Sequence, residues 1–566
     1  MEIASRLGRS VTGALGKATQ KDLGQFMTPA AIARLTAERL VADGFGKTVR
    51  VLEPAAGAGI LACAVCEALA ACDNPPATIE LTLFEIDRAF EAALNQVLPA
   101  LGAWLANKNI TLVTALRFDD YVLTNAHALS AGLFGHGLSG NGAQVDLIIS
   151  NPPYFKLAKD APQAVACASV VHGQPNIYGF FMAIGAASLA PEGRLAFIVP
   201  RSFASGHYFR LFRERFFSEV RPESVHVFHS RVDAFAEDEV LQENVIFVAS
   251  KQPGWSKTSD VDQPEFIVTT SQGLADLSNP ESFLLRLDEV LDIHSKDKVL
   301  CIPSTSKEVA VFKRLRHWNG NLHRYGWDIS TGPVVPFRAT GVIINETAPE
   351  TIPLLWMQNV QCMLTTWPAA TRKAQYLRDC ADSASIVLPN KNYVLMRRFS
   401  PKEQERRLMV APILAEDLPF ARVGLENHLN YIHKPKGNLT AEEIFGLAAL
   451  LNSHLIDAWF RSTNGNTQVS ATEIRAMPLP PLEAIHAIGR EAMHSQSLAE
   501  LDEMVERLAD SLECEIARSK RRVMSRALAS QSSSSLRPFG TPPWGTRQCL
   551  RGQLGTRDSN KLAKRT

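Results

Sequence analysis

The chain has 566 residues, of which 46% are hydrophobic and 21% charged, with a formal net charge of +1. That length allows two or three domains with their own cores, and the near-neutral balance gives the molecule as a whole no general attraction for polyanions. No apolar run is long enough to span a bilayer, the first residues lack the apolar core of a signal peptide, and nine cysteines form no evident disulfide framework, a pattern that suits a reducing cytoplasm.

Residues 1–20 show no firm pattern and read as an N-terminal extension. Gly24-Gln25-Phe26-Met27-Thr28-Pro29 then precedes Ala30-Ala31-Ile32-Ala33-Arg34-Leu35. Thr28 reads as a helix N-cap, with Pro29 at the first helical position. Val49–Leu52 is a short strand that ends in Glu53-Pro54-Ala55-Ala56-Gly57-Ala58-Gly59, and a helix follows from Ile60 to Ala71. Strand, small-residue turn and helix are how doubly wound folds bring backbone close to a nucleotide-like ligand. A carboxylate at that strand end disfavours a phosphate and favours a cationic ligand; S-adenosylmethionine, with an ammonium and a sulfonium, is of that kind. Cys63 and Cys66 form a Cys-x-x-Cys pair in the Ala-rich helix, but no second pair lies at zinc spacing, so no metal site is expected.

The strand Ile79–Phe84 ends in Glu85-Ile86-Asp87, and the strand Ile110–Thr114 leads to Phe118-Asp119-Asp120-Tyr121. An acid at the end of the second strand is placed to accept ribose hydroxyls, and one at the third can take an adenine amino group. Asp119 and Asp120 both remain open for the latter role. The apolar run 145–150 reads as a buried strand that stops at Asn151-Pro152-Pro153-Tyr154. The two prolines donate no backbone hydrogen bond, and Pro153 holds Pro152 extended. The loop therefore offers carbonyl oxygens, one side-chain amide and an aromatic face, an arrangement suited to an exocyclic amine. Further strands at 194–199, 224–228 and 244–249, with a helix from 176 to about 189, predict an α/β domain around a sheet of about seven mostly parallel strands.

The order Gly-Gln-Phe-x-Thr-Pro, Glu-Pro-Ala-x-Gly-x-Gly, Asn-Pro-Pro-Tyr resembles the γ-class N6-adenine DNA methyltransferases of bacterial restriction–modification systems, of the TaqI type. The resemblance implies a Rossmann-like S-adenosylmethionine-dependent methyltransferase domain over residues 21–250. A connecting segment at 251–300 with some local structure leads to a mixed α+β target-recognition domain at 301–480. Residues 481–528 read as helical, and 529–566 as a disordered basic tail. The stretches 329–335, 392–395, 426–432 and 465–470 look like recurring pieces of the recognition domain. Within it, Arg338, Trp356, Gln358, Asn359, Arg372, Lys373, Arg397, Arg398 and Lys434 are of types that read bases or anchor phosphates.

Position by position, the resemblance implies that Thr28 and Glu53 hold the methionine end of the cofactor, with Ala55, Gly57 and Gly59 forming the turn beside it. Glu85 with Ile86 would hold the ribose, and Asp120 with Tyr121 the adenine. Asn151 would belong to both cofactor pocket and catalytic loop, and Phe235 would pack edge-on against a flipped base. Hydrogen bonds from the target amine to the Asn151 side chain and the Pro152 carbonyl would localise the nitrogen lone pair for attack on the methyl group. Tyr154 would stack on the extruded base, worth about 1–3 kcal/mol. The expected partners are double-stranded DNA and a companion restriction endonuclease, in a bacterial cytoplasm, with no membrane role. Three other readings stand beside this one: an N4-cytosine DNA methyltransferase, a protein-glutamine methyltransferase, and a catalytically silent DNA-binding protein.

Overall fold

A computed structural model describes residues 1–15, 27–41, 45–130, 144–229, 244–252, 254–255, 264–291, 293–315, 317–347, 350–401, 404–463, 468–495 and 497–514. The strands β1 (Thr48–Glu53), β2 (Thr78–Phe84), β3 (Thr111–Arg117), β4 (Val145–Ser150), β5 (Leu189–Pro200), β6 (Val220–Phe228), β7 (Asn244–Lys251), β8 (Glu265–Ser271) and β9 (Glu281–Arg286) form one sheet. Its order is β3-β2-β1-β4-β5-β7-β6-β8-β9. The sheet thus has nine strands rather than about seven. The polar stretch read as a connection supplies the last two, and its Thr269, Thr270 and Ser271 are buried despite their hydroxyls. Pairing is parallel from β3 through β5, while β7 runs antiparallel to both β5 and β6.

The parallel half fixes where the strand ends meet. Strand β4 buries Leu147, Ile148 and Ile149 with no exposure; each such side chain contributes about 1.5–3 kcal/mol. Only two residue pairs join β1 to β4, Val51 with Leu147 and Leu52 with Ile148. A forked ion pair reinforces this short seam, Arg50 Nη2 to Asp146 Oδ1 at 2.7 Å and Nε to Oδ2 at 3.1 Å. The switch in strand order between β1 and β4 opens a crevice at their carboxyl ends, where ligands of doubly wound folds bind.

Helices α1 (Glu2–Leu15), α2 (Ala30–Leu40), α3 (Ile60–Leu69), α4 (Glu91–Ala106), α5 (Tyr121–Asn125), α6 (Pro162–Ala166), α7 (Ile177–Ser188) and α8 (Arg210–Glu219) accompany the sheet. Helix α1 corrects the reading of the first residues as patternless: Ile3, Leu7, Val11 and Leu15 recur at helical spacing, and Leu7 and Val11 pack on the core beside α3 and α4. Pro29, not Thr28, is the N-cap of α2, with extended ψ and no side-chain cap. The Pro29 carbonyl accepts the first helical hydrogen bond, from the Ala33 amide at 2.9 Å, which leaves Thr28 one residue outside the helix. At its far end α2 is clamped by β5, where Arg194 donates to the carbonyls of Arg39 and Leu40.

In the C-terminal half, strands Asp328–Thr331, Leu429–His433, Tyr393–Arg397 and Val410–Ile413 form an antiparallel sheet in that order. A five-stranded sheet of short segments lies over residues 343–425. Residues 482–492 and 498–510 are helical. No described helix is long and apolar enough to cross a membrane.

Candidate active site

Four strand ends bring the predicted residues together. At the end of β1, the turn Glu53–Gly59 leads into α3. Gly57 and Gly59 have φ of +52° and +80°, values that suit glycine. A Cβ on Gly57 would meet nothing within 4 Å, so this backbone faces open space, whereas one on Gly59 would stand 3.2 Å from Leu94 Cδ2. Ala55 and Gly57 are half-buried. Glu53 is 1% exposed, and its Oε2 accepts from the Ala62 amide at 2.9 Å, satisfying one of the open N–H groups of the first turn of α3. Burial pushes the Glu53 carboxyl well above the usual carboxylate range.

Glu85, at the end of β2, is 7% exposed and locks the turn in place. Its Oε2 accepts from the Gly57 amide at 2.7 Å and its Oε1 from the Asp87 amide at 2.8 Å. Burial raises its pKa, and these two bonds oppose the rise. Ile86 beside it is 65% exposed.

At the end of β3, Asp120 caps α5 by accepting from the Leu123 amide at 2.9 Å, and its other oxygen accepts from Gln163 Nε2 of α6 at 2.7 Å. Asp119 is exposed and Asp120 half-buried. Tyr121 is 3% exposed and packs edge-on against Phe84 of β2, with ring centroids 5.3 Å apart.

At the end of β4, Asn151 and Pro153 are half-buried and Pro152 is buried. Asn151 Nδ2 donates to the Thr28 Oγ1 at 3.0 Å. The Tyr154 hydroxyl donates to the Ile198 carbonyl of β5 at 2.7 Å and also contacts Asn151 Oδ1. Tyr154 is 8% exposed and sits edge-on to Tyr178, 6.1 Å between centroids. The ring read as an open aromatic face is therefore largely covered, and its phenol contacts the Asn151 amide. Tyr178 is fully buried, and its hydroxyl hydrogen-bonds with Ser202 Oγ at 2.8 Å. Phe235 lies outside the described residues, as do Gly24, Gln25 and Phe26.

Sequence reading missed two partners. Gln163 sits in a stretch without a motif, and only the fold brings it to Asp120; Ile198 acts through its backbone, which no side-chain pattern signals. Among the described residues no group of three or more His, Cys, Asp or Glu side chains could hold a metal, and Cys63 and Cys66 are buried free thiols.

The four later stretches converge on one place. Ile329 pairs with Ile432, Val394 with Ile432 and Leu395 with Tyr431, while the Val469 carbonyl accepts from Asn430 Nδ2 at 3.0 Å. Gly332 is required there, since a Cβ would come within 2.3 Å of the Glu426 carbonyl oxygen. Residues 464–467 lie outside the described residues. Two of the side chains read as base readers prove structural: Trp356 is 6% exposed, and the fully buried Asn359 closes a turn, accepting from the Trp356 amide at 2.7 Å and donating to the Thr366 carbonyl. Arg338 and Phe337 remain exposed, Phe337 by 74%, beside a cavity of about 460 Å³ bordered by Pro333, Val335, Asp382 and Ser385.

The family model of the Eco57I restriction-modification methylase matches residues 106–235, a span that contains the Asn151–Tyr154 loop. The chain is 29% identical to the type II methyltransferase M.BsuBI of Bacillus subtilis over 495 residues, covering 86% of this chain and 94% of the relative. It is 28% identical to M.PstI of Providencia stuartii over 490 residues, covering 86% and 93%. Among solved structures, the type IIG restriction endonuclease BpuSI is similar with a TM-score of 0.41 at 14% identity, covering 90% of this chain and 68% of that one. The chain is thus similar to type II methyltransferases over most of its length, and residues 106–235 match the Eco57I restriction-modification methylase model.

Proposed function

We propose that the chain is a site-specific DNA methyltransferase that transfers the methyl group of S-adenosylmethionine to adenine N6 in duplex DNA, protecting it from a companion endonuclease. The observation that carries this is the Asn151–Tyr154 loop at the carboxyl end of β4, beside the Glu85-held Gly57 turn at the ends of β1 and β2. The near full-length similarity to two type II methyltransferases supports it.

The turn fits the cofactor. Its backbone faces open space at Gly57, and an acid and an apolar side chain, Glu85 and Ile86, stand at the next strand end. Glu53 borders the methionine end, Ala55, Gly57 and Gly59 the backbone wall, Glu85 and Ile86 the ribose, and Asp120 with Tyr121 the adenine. Bound there, S-adenosylmethionine supplies an electrophilic methyl group on a sulfonium. The protein's task is then positioning and electrostatics. The Asn151 oxygen and the Pro152 carbonyl accept the two hydrogens of the exocyclic amine, which holds the nitrogen lone pair out of the ring and aimed at the methyl. No strong base is needed before attack. The base reaches this loop by leaving the helix, at a cost of a few kcal/mol. Stacking on Tyr154 requires the covered ring to be opened, so its first duty is to steady Asn151; Phe235 is the proposed second contact to the base. Residues 301–480 carry target recognition, with Arg338 and Phe337 among the exposed candidates.

The test is transfer of labelled methyl from S-adenosylmethionine to unmethylated duplex DNA, followed by nucleoside analysis. N6-methyladenine is expected, and its loss in Asn151→Ala with cofactor binding retained. N4-methylcytosine would replace the base assignment, and label on protein alone would overturn the reading.

A further inference from the structure

Thr28 and Asn151 are 123 residues apart in sequence, yet the Asn151 side-chain amide donates to the Thr28 hydroxyl oxygen at 3.0 Å. Thr28 is 6% exposed, so solvent competes little for this bond. A carboxamide presents oxygen and NH2 ends of nearly the same shape, and its partners decide which end faces the substrate. Tying the NH2 end to Thr28 makes the oxygen the acceptor end; that oxygen also contacts the Tyr154 hydroxyl, and a carbonyl oxygen with two lone pairs can accept from an amine beside it. A donated hydrogen bond also polarises an amide, making its oxygen a stronger acceptor.

The anchor is itself well held. Thr28 directly precedes the N-cap of α2, and the other end of that helix is clamped to β5 through the Arg194 contacts to Arg39 and Leu40. Tyr154 supports the amide from the opposite side, through a hydroxyl that also bonds the Ile198 carbonyl of β5. The amide thus stands between two supports that both trace back to β5.

We infer that Thr28 is a positioning residue for methyl transfer, its hydroxyl oxygen holding the Asn151 amide with the acceptor oxygen towards the target amine. The inference rests on the amino-methyltransferase reading above and deepens it, because it assigns Thr28 to the reacting loop rather than to the methionine end of the cofactor.

The experiment compares the full chain with Thr28→Val, which keeps the shape and removes the hydroxyl, and with Thr28→Ser, which keeps the hydroxyl. Three quantities are read: single-turnover methyl transfer to target DNA, the S-adenosylmethionine dissociation constant, and base extrusion by 2-aminopurine fluorescence at the target position. Thr28→Val should slow transfer by about tenfold or more, the equivalent of one net hydrogen bond. Cofactor affinity and base extrusion should stay at the wild-type level, and Thr28→Ser should recover most of the rate. If melting curves show that Thr28→Val does not fold, Thr28→Ala against Thr28→Ser makes the same comparison. A wild-type rate in the hydroxyl-free variant, or a loss that merely follows weaker cofactor binding, would overturn the inference. Absence of methyl transfer by the wild-type chain would instead remove the enzymatic reading on which it stands, and the wild-type arm separates the two failures.

Discussion

The two buried acids beside the Gly57 turn have different hydrogen-bond partners. Glu85 spends both oxygens on backbone amides, at Gly57 and Asp87, so it shapes the turn before any ligand arrives. Glu85→Ala should therefore weaken S-adenosylmethionine binding by about tenfold or more, since hydrogen bonds to a charged group contribute about 1.5–3 kcal/mol each; calorimetry that finds an unchanged dissociation constant would remove Glu85 from the pocket. Glu53 serves the first turn of α3 from a fully buried position that raises its pKa. The folded protein thus holds that proton more tightly than the unfolded chain does. The stability this group contributes is present below the unfolded pKa and is lost as pH rises through the folded one. Glu53→Gln keeps an acceptor for the Ala62 amide and does not ionise. Its melting temperature relative to wild type should rise as pH is raised from about 4.5 towards neutrality. A difference that is flat or falls with pH in thermal scans would contradict the buried-acid account.

At the scale of elements, the turn between β1 and α3 depends on one backbone conformation. Gly59 combines φ of +80° with a Cβ position 3.2 Å from Leu94 Cδ2, so Gly59→Ala should destabilise the protein by about 1–3 kcal/mol in denaturant unfolding. An unchanged midpoint would show that the turn relaxes freely. The strands that carry the site were legible because their apolar runs are short, buried and closed by acids or prolines: the sequence places a strand at 145–150, and β4 is Val145–Ser150. Less was legible where polar side chains are buried. Strand β8 ends in Thr269, Thr270 and Ser271, whose hydroxyls read as surface but find partners inside, as when Thr269 and Ser271 meet His226. At Thr28 a local rule misled by one position, since the helix starts from the Pro29 carbonyl, and no local pattern signals that the Thr28 hydroxyl meets a residue 123 positions away. The Tyr154 face was misjudged for a similar reason: only the fold shows Ile198 and Tyr178 closing over it.

Over the whole molecule, the sheet that carries the Asn151–Tyr154 loop does not end at residue 250. Strands β8 and β9 extend it to Arg286, and the loop after β5 bonds further on, where the Leu300 amide donates to the Ala204 carbonyl at 2.9 Å. Arg213 is buried without exposure and donates to the carbonyls of Asp297, Phe203 and Gly206. Arg213→Leu would leave the buried carbonyls of Asp297 and Phe203 short of a donor and should cost about 3 kcal/mol or more of stability, measured by denaturant unfolding. A loss below about 1 kcal/mol would show that water or rearrangement replaces it. The same contacts predict that a chain cut near residue 250 loses a stable fold, so the division of labour between residues 21–250 and 301–480 is better tested with intact chains carrying changes at Arg338 or Phe337. Expression of the full chain in a host without DNA methylation, followed by modified-base sequencing of the host genome, tests adenine methylation and site specificity together. N6-methyladenine is expected at one short recurring sequence and is expected to be absent with Asn151→Ala. An unmarked genome in cells whose purified protein binds S-adenosylmethionine would contradict that expectation.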